Sequence, residues 1–124
     1  MLKLLIAADD LTGALDTGVQ LARLGVDTRV LLYRGPGTVR NARTAGTLVV
    51  DTESRHLPPA RAGEIVAELV REALEAGAEF IYKKTDSALR GNLGAELMAA
   101  ARAAGVRPVP FVPAWPENGR TTLA

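Results

Sequence analysis

The sequence predicts an α/β fold: a mostly parallel, doubly wound sheet of about five strands with helices on both faces. Three observations carry that reading. Short apolar runs alternate with longer segments whose apolar residues recur at helical spacing. The short runs are too apolar to leave one side of a sheet in water, which is how buried parallel strands read. Several of them also end abruptly in polar residues, at Asp9-Asp10, at Asp51 and at Lys83-Lys84.

Taken in order, residues 2–8 form the first expected strand, stopped by two aspartates and too short for a signal segment or a membrane span. From Gly13 onward, Ala14, Leu15, Gly18, Val19, Ala22 and Leu24 fall at helical spacing, and Gly25 stands where a glycine ends a helix. Residues 28–33 are the second strand, and Arg34-Gly35-Pro36-Gly37 breaks the chain into a turn. Residues 46–50 are the third, ending on Asp51.

Pro58 and Pro59 open the next helix, where a missing N–H is least harmful. Ile65, Val66, Leu69, Val70, Ala73 and Leu74 form its apolar stripe. Arg61, Glu64, Glu68, Arg71, Glu72 and Glu75 are expected in water, and Gly77 ends the helix. Residues 79–83 are the fourth strand, and 92–104 the third helix, with Leu93, Leu97, Met98 and Ala101 inward. Residues 106–112 are expected as a fifth strand at an edge or strand end, because Pro108 and Pro110 cannot donate to a ladder. The loop-like run from Pro113 reads as a domain truncated at its C-terminus. The whole is Rossmann-like in its order.

Composition narrows the chemistry. With 124 residues and 48% hydrophobic content, the chain can build one domain with a real core. It has no cysteine, which excludes disulfides, thiolate metal sites and a cysteine nucleophile, and suits a reducing cytoplasm. Fifteen basic and 14 acidic residues give a net charge of +1, without the basic stripe that nucleic-acid binding needs. Neither a Gly-x-x-x-x-Gly-Lys-Ser/Thr phosphate loop nor a Gly-x-Ser-x-Gly elbow is present. A dinucleotide site fails at the first turn, where Asp9 and Asp10 would face the pyrophosphate.

Parallel strands end along one edge, and ligands bind there. In Asp9-Asp10-Leu11-Thr12-Gly13, Asp10 or Thr12 can cap the helix, and a second carboxylate is then available to grip hydroxyls or act as a base. Asp16 reads as a solvated helix residue. In Asp51-Thr52-Glu53-Ser54-Arg55-His56, Arg55 is a forked donor for a carboxylate, Asp51 is placed to orient it, and His56 reads as an exposed loop residue. The run Lys83-Lys84-Thr85-Asp86-Ser87-Ala88-Leu89-Arg90-Gly91-Asn92 gathers charge at a strand end, which is costly unless paired or used, and opens a helix whose N-terminus favours an anion. Trp115 can wall the pocket and Arg120 can reach an anion.

The run from Ala8-Asp9-Asp10-Leu11-Thr12-Gly13 to Gly18, then Asp51-Thr52-Glu53-Ser54-Arg55, then Lys83 to Asn92, with Pro113-Ala114-Trp115-Pro116 and Gly119-Arg120 after them, resemble the N-terminal sugar-binding domain of the four-carbon acid sugar kinases. That family includes 3-oxo-tetronate, threonate and erythronate kinases. The resemblance covers the whole chain in order. It implies that residues 1–124 are the sugar-acid-binding domain of a phosphotransferase whose nucleotide-binding domain is absent here. ATP and Mg²⁺ would be bound mainly by that other domain, so the fragment alone is expected to be inactive.

Residue by residue, the resemblance implies that Asp10 and Asp86 contact substrate hydroxyls as the catalytic carboxylates, and that Arg55 and Arg90 pair the substrate carboxylate. Asp9, Ser87, Gly91 and Asn92 complete the pocket. No protein-only metal site, nucleic-acid partner or membrane partner is expected, and bare sheet edges favour a homo-oligomer. The competing expectation is a stand-alone, non-catalytic binding module for small hydroxy-carboxylates.

Overall fold

Successive side chains of a strand point to opposite faces, and in β1 (Leu4–Ala8) and β3 (Thr47–Asp51) both faces are almost wholly buried. Leu5, Ala7, Leu48 and Val50 join Ile65, Val66, Leu69, Val70 and Ala73 of α2 (Pro59–Glu75) in one core. On the same face α3 (Leu93–Ala104) packs along α2 and contributes Ala100. Ile6, Ala8 and Val49 face the other way and meet Ala14 of α1 (Leu11–Arg23) in a smaller core. Helices therefore cover both faces, as the apolar strands demand. The computed structural model describes residues 1–42 and 46–122.

The sheet runs β2 (Thr28–Leu32), β3, β1, β4 (Phe80–Lys84), and every pairing is parallel. Among the described residues it has four strands rather than five. Residues 106–112 form none; they are exposed and unpaired, and Pro108 and Pro110 have no N–H to offer a ladder. A short 3₁₀ turn, Pro116–Asn118, follows. No helix among the described residues is long and apolar enough to cross a membrane.

Three expected helix faces differ from the observed ones. In α1, Leu15, Val19 and Ala22 are exposed, as is Leu24 just after it, while Gly13, Ala14 and Gly18 turn inward. Small residues let the helix sit close to the sheet: a Cβ on Gly18 would lie 2.8 Å from Val30 Cγ2. In α2, Leu74 is exposed and Glu72 is buried, because its carboxylate accepts the backbone N–H groups of Gly37, Val39 (2.9 Å) and Arg40 (3.2 Å). In α3, Met98 is exposed and Glu96 buried, for a reason that lies in the site.

The register sets up that site. Ala8 of β1 lies opposite both Asp51 of β3 and Lys84 of β4. The chain leaves β1 into α1 on one face and β3 into α2 on the other, which opens a crevice at the strand ends between them.

Candidate functional site

Arg55 crosses that crevice. Its Nε donates to Asp9 Oδ2 at 2.9 Å and its Nη2 to Asp9 Oδ1 at 3.2 Å, a two-pronged pairing. Its Nη1 lies 2.8 Å from Asp10 Oδ2, and Nη2 lies 3.7 Å from Asp86 Oδ1. One guanidinium thus gathers carboxylates from the turns after β1 and β4 onto the turn after β3. Asp9 and Asp86 are nearly enclosed, whereas the Asp10 side chain is 30% exposed and so is the carboxylate a ligand reaches most easily. Asp10 also caps α1, its Oδ1 accepting the Gly13 N–H at 2.9 Å.

Asp86 is held by donors on all sides. Arg90 gives it Nε (2.9 Å), Nη2 (2.8 Å) and its backbone N–H (3.2 Å), and Ala88 adds its N–H at 3.1 Å. The Arg90 guanidinium, with help from Arg55, holds the Asp86 carboxyl well below the usual carboxylate range despite its burial. Gly91 has φ +92°, and a Cβ there would meet Asp9 Oδ2 at 2.9 Å and Arg55 Cγ at 3.4 Å. Only glycine suits that place. Asn92 donates to the carbonyls of Ser54 (3.0 Å) and Leu57 (2.8 Å), tying the start of α3 to the turn that carries Arg55. Ser87 stands at the flank, its hydroxyl accepting from Arg120.

Asp9, Asp10, Arg55, Asp86, Arg90 and Gly91 therefore come together, with Ser87 and Asn92 bordering them. Asp16 and His56 are exposed, as expected, and Trp115 is half-exposed beside Arg120. Two surface grooves, of about 370 and 490 Å³, lie elsewhere, one against the 36–41 loop and one at the end of α3. Among the described residues no group of acidic or histidine side chains is arranged to hold a metal ion.

Asp51 does not orient Arg55. It is buried; Oδ1 accepts the Glu53 N–H at 2.9 Å and Oδ2 has no partner among the described residues. Burial pushes its pKa up, reinforced by the charges of Glu53, Asp10 and Asp9 against the pull of that one hydrogen bond. A carboxyl whose pKa rises on folding costs stability once pH exceeds its unfolded value of about 3.9. Asp51→Asn should therefore raise the thermal midpoint at pH 7 and lose that gain at pH 3. Equal shifts at both pH values would contradict the buried charge.

Sequence reasoning missed a buried network beneath Arg55. Thr52 Oγ1 donates to the Ala8 carbonyl at 2.8 Å and lies 2.7 Å from Ser54 Oγ, which in turn bonds Glu96. Glu96 Oε2 is 2.9 Å from Lys83 Nζ, which also donates to the Lys84 carbonyl at 2.7 Å. The ends of β1, β3 and β4 are thereby bonded together. Two signals were available: alternation sends Lys83 to the α3 face, and Glu96 lies one helical turn before inward-facing Ala100.

Residues 4–124 match the family model described as the sugar-binding N-terminal domain. The chain is 42% identical over 123 residues to a D-threonate kinase of Salmonella typhimurium, covering 98% of this chain and 28% of that one. It is 38% identical over 124 residues to a D-erythronate kinase of Heliobacterium modesticaldum (99% and 28% covered). It is 30% identical over 125 residues to a 3-oxo-tetronate kinase of Escherichia coli (98% and 32%). The chain thus spans under a third of these curated relatives. A solved Bordetella bronchiseptica structure matches with TM-score 0.71 and 41% identity over 81% of this chain and 25% of its own. It is described as a domain of unknown function with bound citrate, in a domain-swapped dimer.

Proposed function

This chain belongs to the sugar-binding N-terminal domain family, and from that premise we propose that residues 1–124 are the acid-holding domain of an ATP-dependent kinase for a four-carbon sugar acid of the tetronate or 3-oxo-tetronate type. The observation that supports this most is the meeting of Asp10, Arg55 and Asp86 from three separate strand ends. A small polyhydroxy acid offers several hydroxyls, and carboxylates held at fixed spacing are suited to accept from them. The names of the similar kinases and the citrate described in the Bordetella structure, itself a hydroxy acid, point to the same ligand class.

Within this reading Asp10 and Asp86 act on the hydroxyl to be phosphorylated. Asp86, held acidic by its donors, orients it. Asp10, the more accessible, takes its proton. Asp9 and Gly91 hold Arg55 in place, and Arg55, Arg90, Ser87 and Asn92 line the pocket. Phosphoryl transfer rests on positioning and charge stabilisation, with Mg²⁺ neutralising the phosphates. A second domain supplies ATP and Mg²⁺, so the chain by itself binds the acid and transfers nothing. The lack of cysteine favours the cytoplasm, and the Bordetella dimers favour a homo-oligomer.

Titration calorimetry of the chain tests the reading directly. One of D-threonate, D-erythronate or a 3-oxo-tetronate should bind with one-to-one stoichiometry, while ATP alone gives no heat of binding. Silence from all three acids at millimolar concentration would sink the reading.

A further inference from the structure

Among the described residues, Arg120 at the flank donates to the Ser87 hydroxyl, and of the cations carried by the strand tips themselves all but one are committed to a carboxylate. Arg55 holds Asp9 and Asp10 and reaches Asp86, Arg90 holds Asp86, and Lys83, its side chain 4% exposed, is bound to Glu96. Lys84 differs. Strand alternation turns it to the α1 face, away from Glu96, and among the described residues its ammonium donates only to the carbonyl of Thr85, at 2.8 Å. An ammonium offers three donors, so Lys84 keeps donors to spare at a half-buried place.

Its location is equally specific. Lys84 runs past Gly13, and a Cβ on that glycine would lie 3.6 Å from Lys84 Nζ and 2.9 Å from Asp10 Oδ1. The spare cation and the most accessible of the three carboxylates thus both border Gly13 at the start of α1. A hydroxy acid presents that pair of groups in complement: a carboxylate to meet the ammonium, and hydroxyls within a few bonds to meet Asp10. An uncommitted lysine is also a cheaper anchor than Arg55, since using Arg55 would require breaking its bonds to the aspartates.

We propose that Lys84 binds the carboxylate of the four-carbon acid and makes the site selective for acids over the matching polyols. This rests on the function proposed above. Calorimetry should compare the unaltered chain with Lys84→Met, which keeps the apolar stem, and Lys84→Arg, which keeps the charge, using D-threonate and D-erythronate as probes. Lys84→Met should weaken the acid that binds at least tenfold with an unchanged thermal midpoint, and Lys84→Arg should stay within about threefold of the unaltered chain. Undiminished affinity in Lys84→Met would overturn the proposal and leave the kinase reading standing. A parallel fall of affinity and midpoint in both variants would also overturn it, by showing a structural role. An unaltered chain that binds neither acid would overturn both.

Discussion

Replacing Arg55 with methionine should destabilise the chain by about 3–5 kcal/mol, the range for removing one member of a buried charge group. Methionine keeps much of the stem, so the loss falls on the guanidinium. Without it Asp9 loses both hydrogen bonds from the guanidinium, and Asp10 and Asp86 face it across a nearly closed crevice. Asp86 retains Arg90, so the unpaired charge settles on Asp9, whose side chain is only 5% exposed. Urea denaturation at pH 7 measures the effect. A loss under about 1 kcal/mol, typical of solvent-exposed pairs, would show that the cluster is wetter than its geometry says.

The second large effect is expected at Glu96. Glu96→Ala strands the Lys83 ammonium, 4% exposed, with only a backbone carbonyl for company, and removes the acceptor of the Ser54 hydroxyl. About 3–5 kcal/mol should again be lost. The diagnostic comparison is the pair Lys83→Met and Glu96→Met made together. Because the cost arises from an orphaned charge, the double variant should be more stable than the less stable of the two single ones, with a coupling above about 1 kcal/mol in a thermodynamic cycle. Additive losses would mean that the two side chains do not depend on each other.

Much of the site was legible because parallel strands end on one edge. The polar tips at Asp9-Asp10, Asp51-Arg55 and Lys83-Asn92 had to share it once the runs before them were read as buried strands. The cap at Asp10 and the exposure of His56 followed from local rules. What pattern cannot report is which donor meets which acceptor. Arg55 was expected to be oriented by Asp51 and is instead held by Asp9 and Asp10, while Asp51, four residues before it, accepts from Glu53. Helix faces failed where polarity and burial part company: Glu72 and Glu96 are inside because each finds partners there, and Leu15 and Val19 are outside because α1 rests on Gly13, Ala14 and Gly18. Residues 106–112 have an apolar strand-like composition, but composition alone does not create a pairing edge.

The common level of Ala8, Asp51 and Lys84 decides which length changes this chain survives. One residue inserted into β1 or β4 reverses the facing of everything beyond it, sending Asp9 or Lys83 to the wrong side of the sheet and dissolving the constellation at a stroke. Insertions in the connection between β2 and β3 touch none of the strand tips that carry Asp10, Arg55 and Asp86. Descendants of this sequence can therefore drift in loop size there where Gly37, Val39 and Arg40 keep their hold on Glu72, while their strands stay locked in frame.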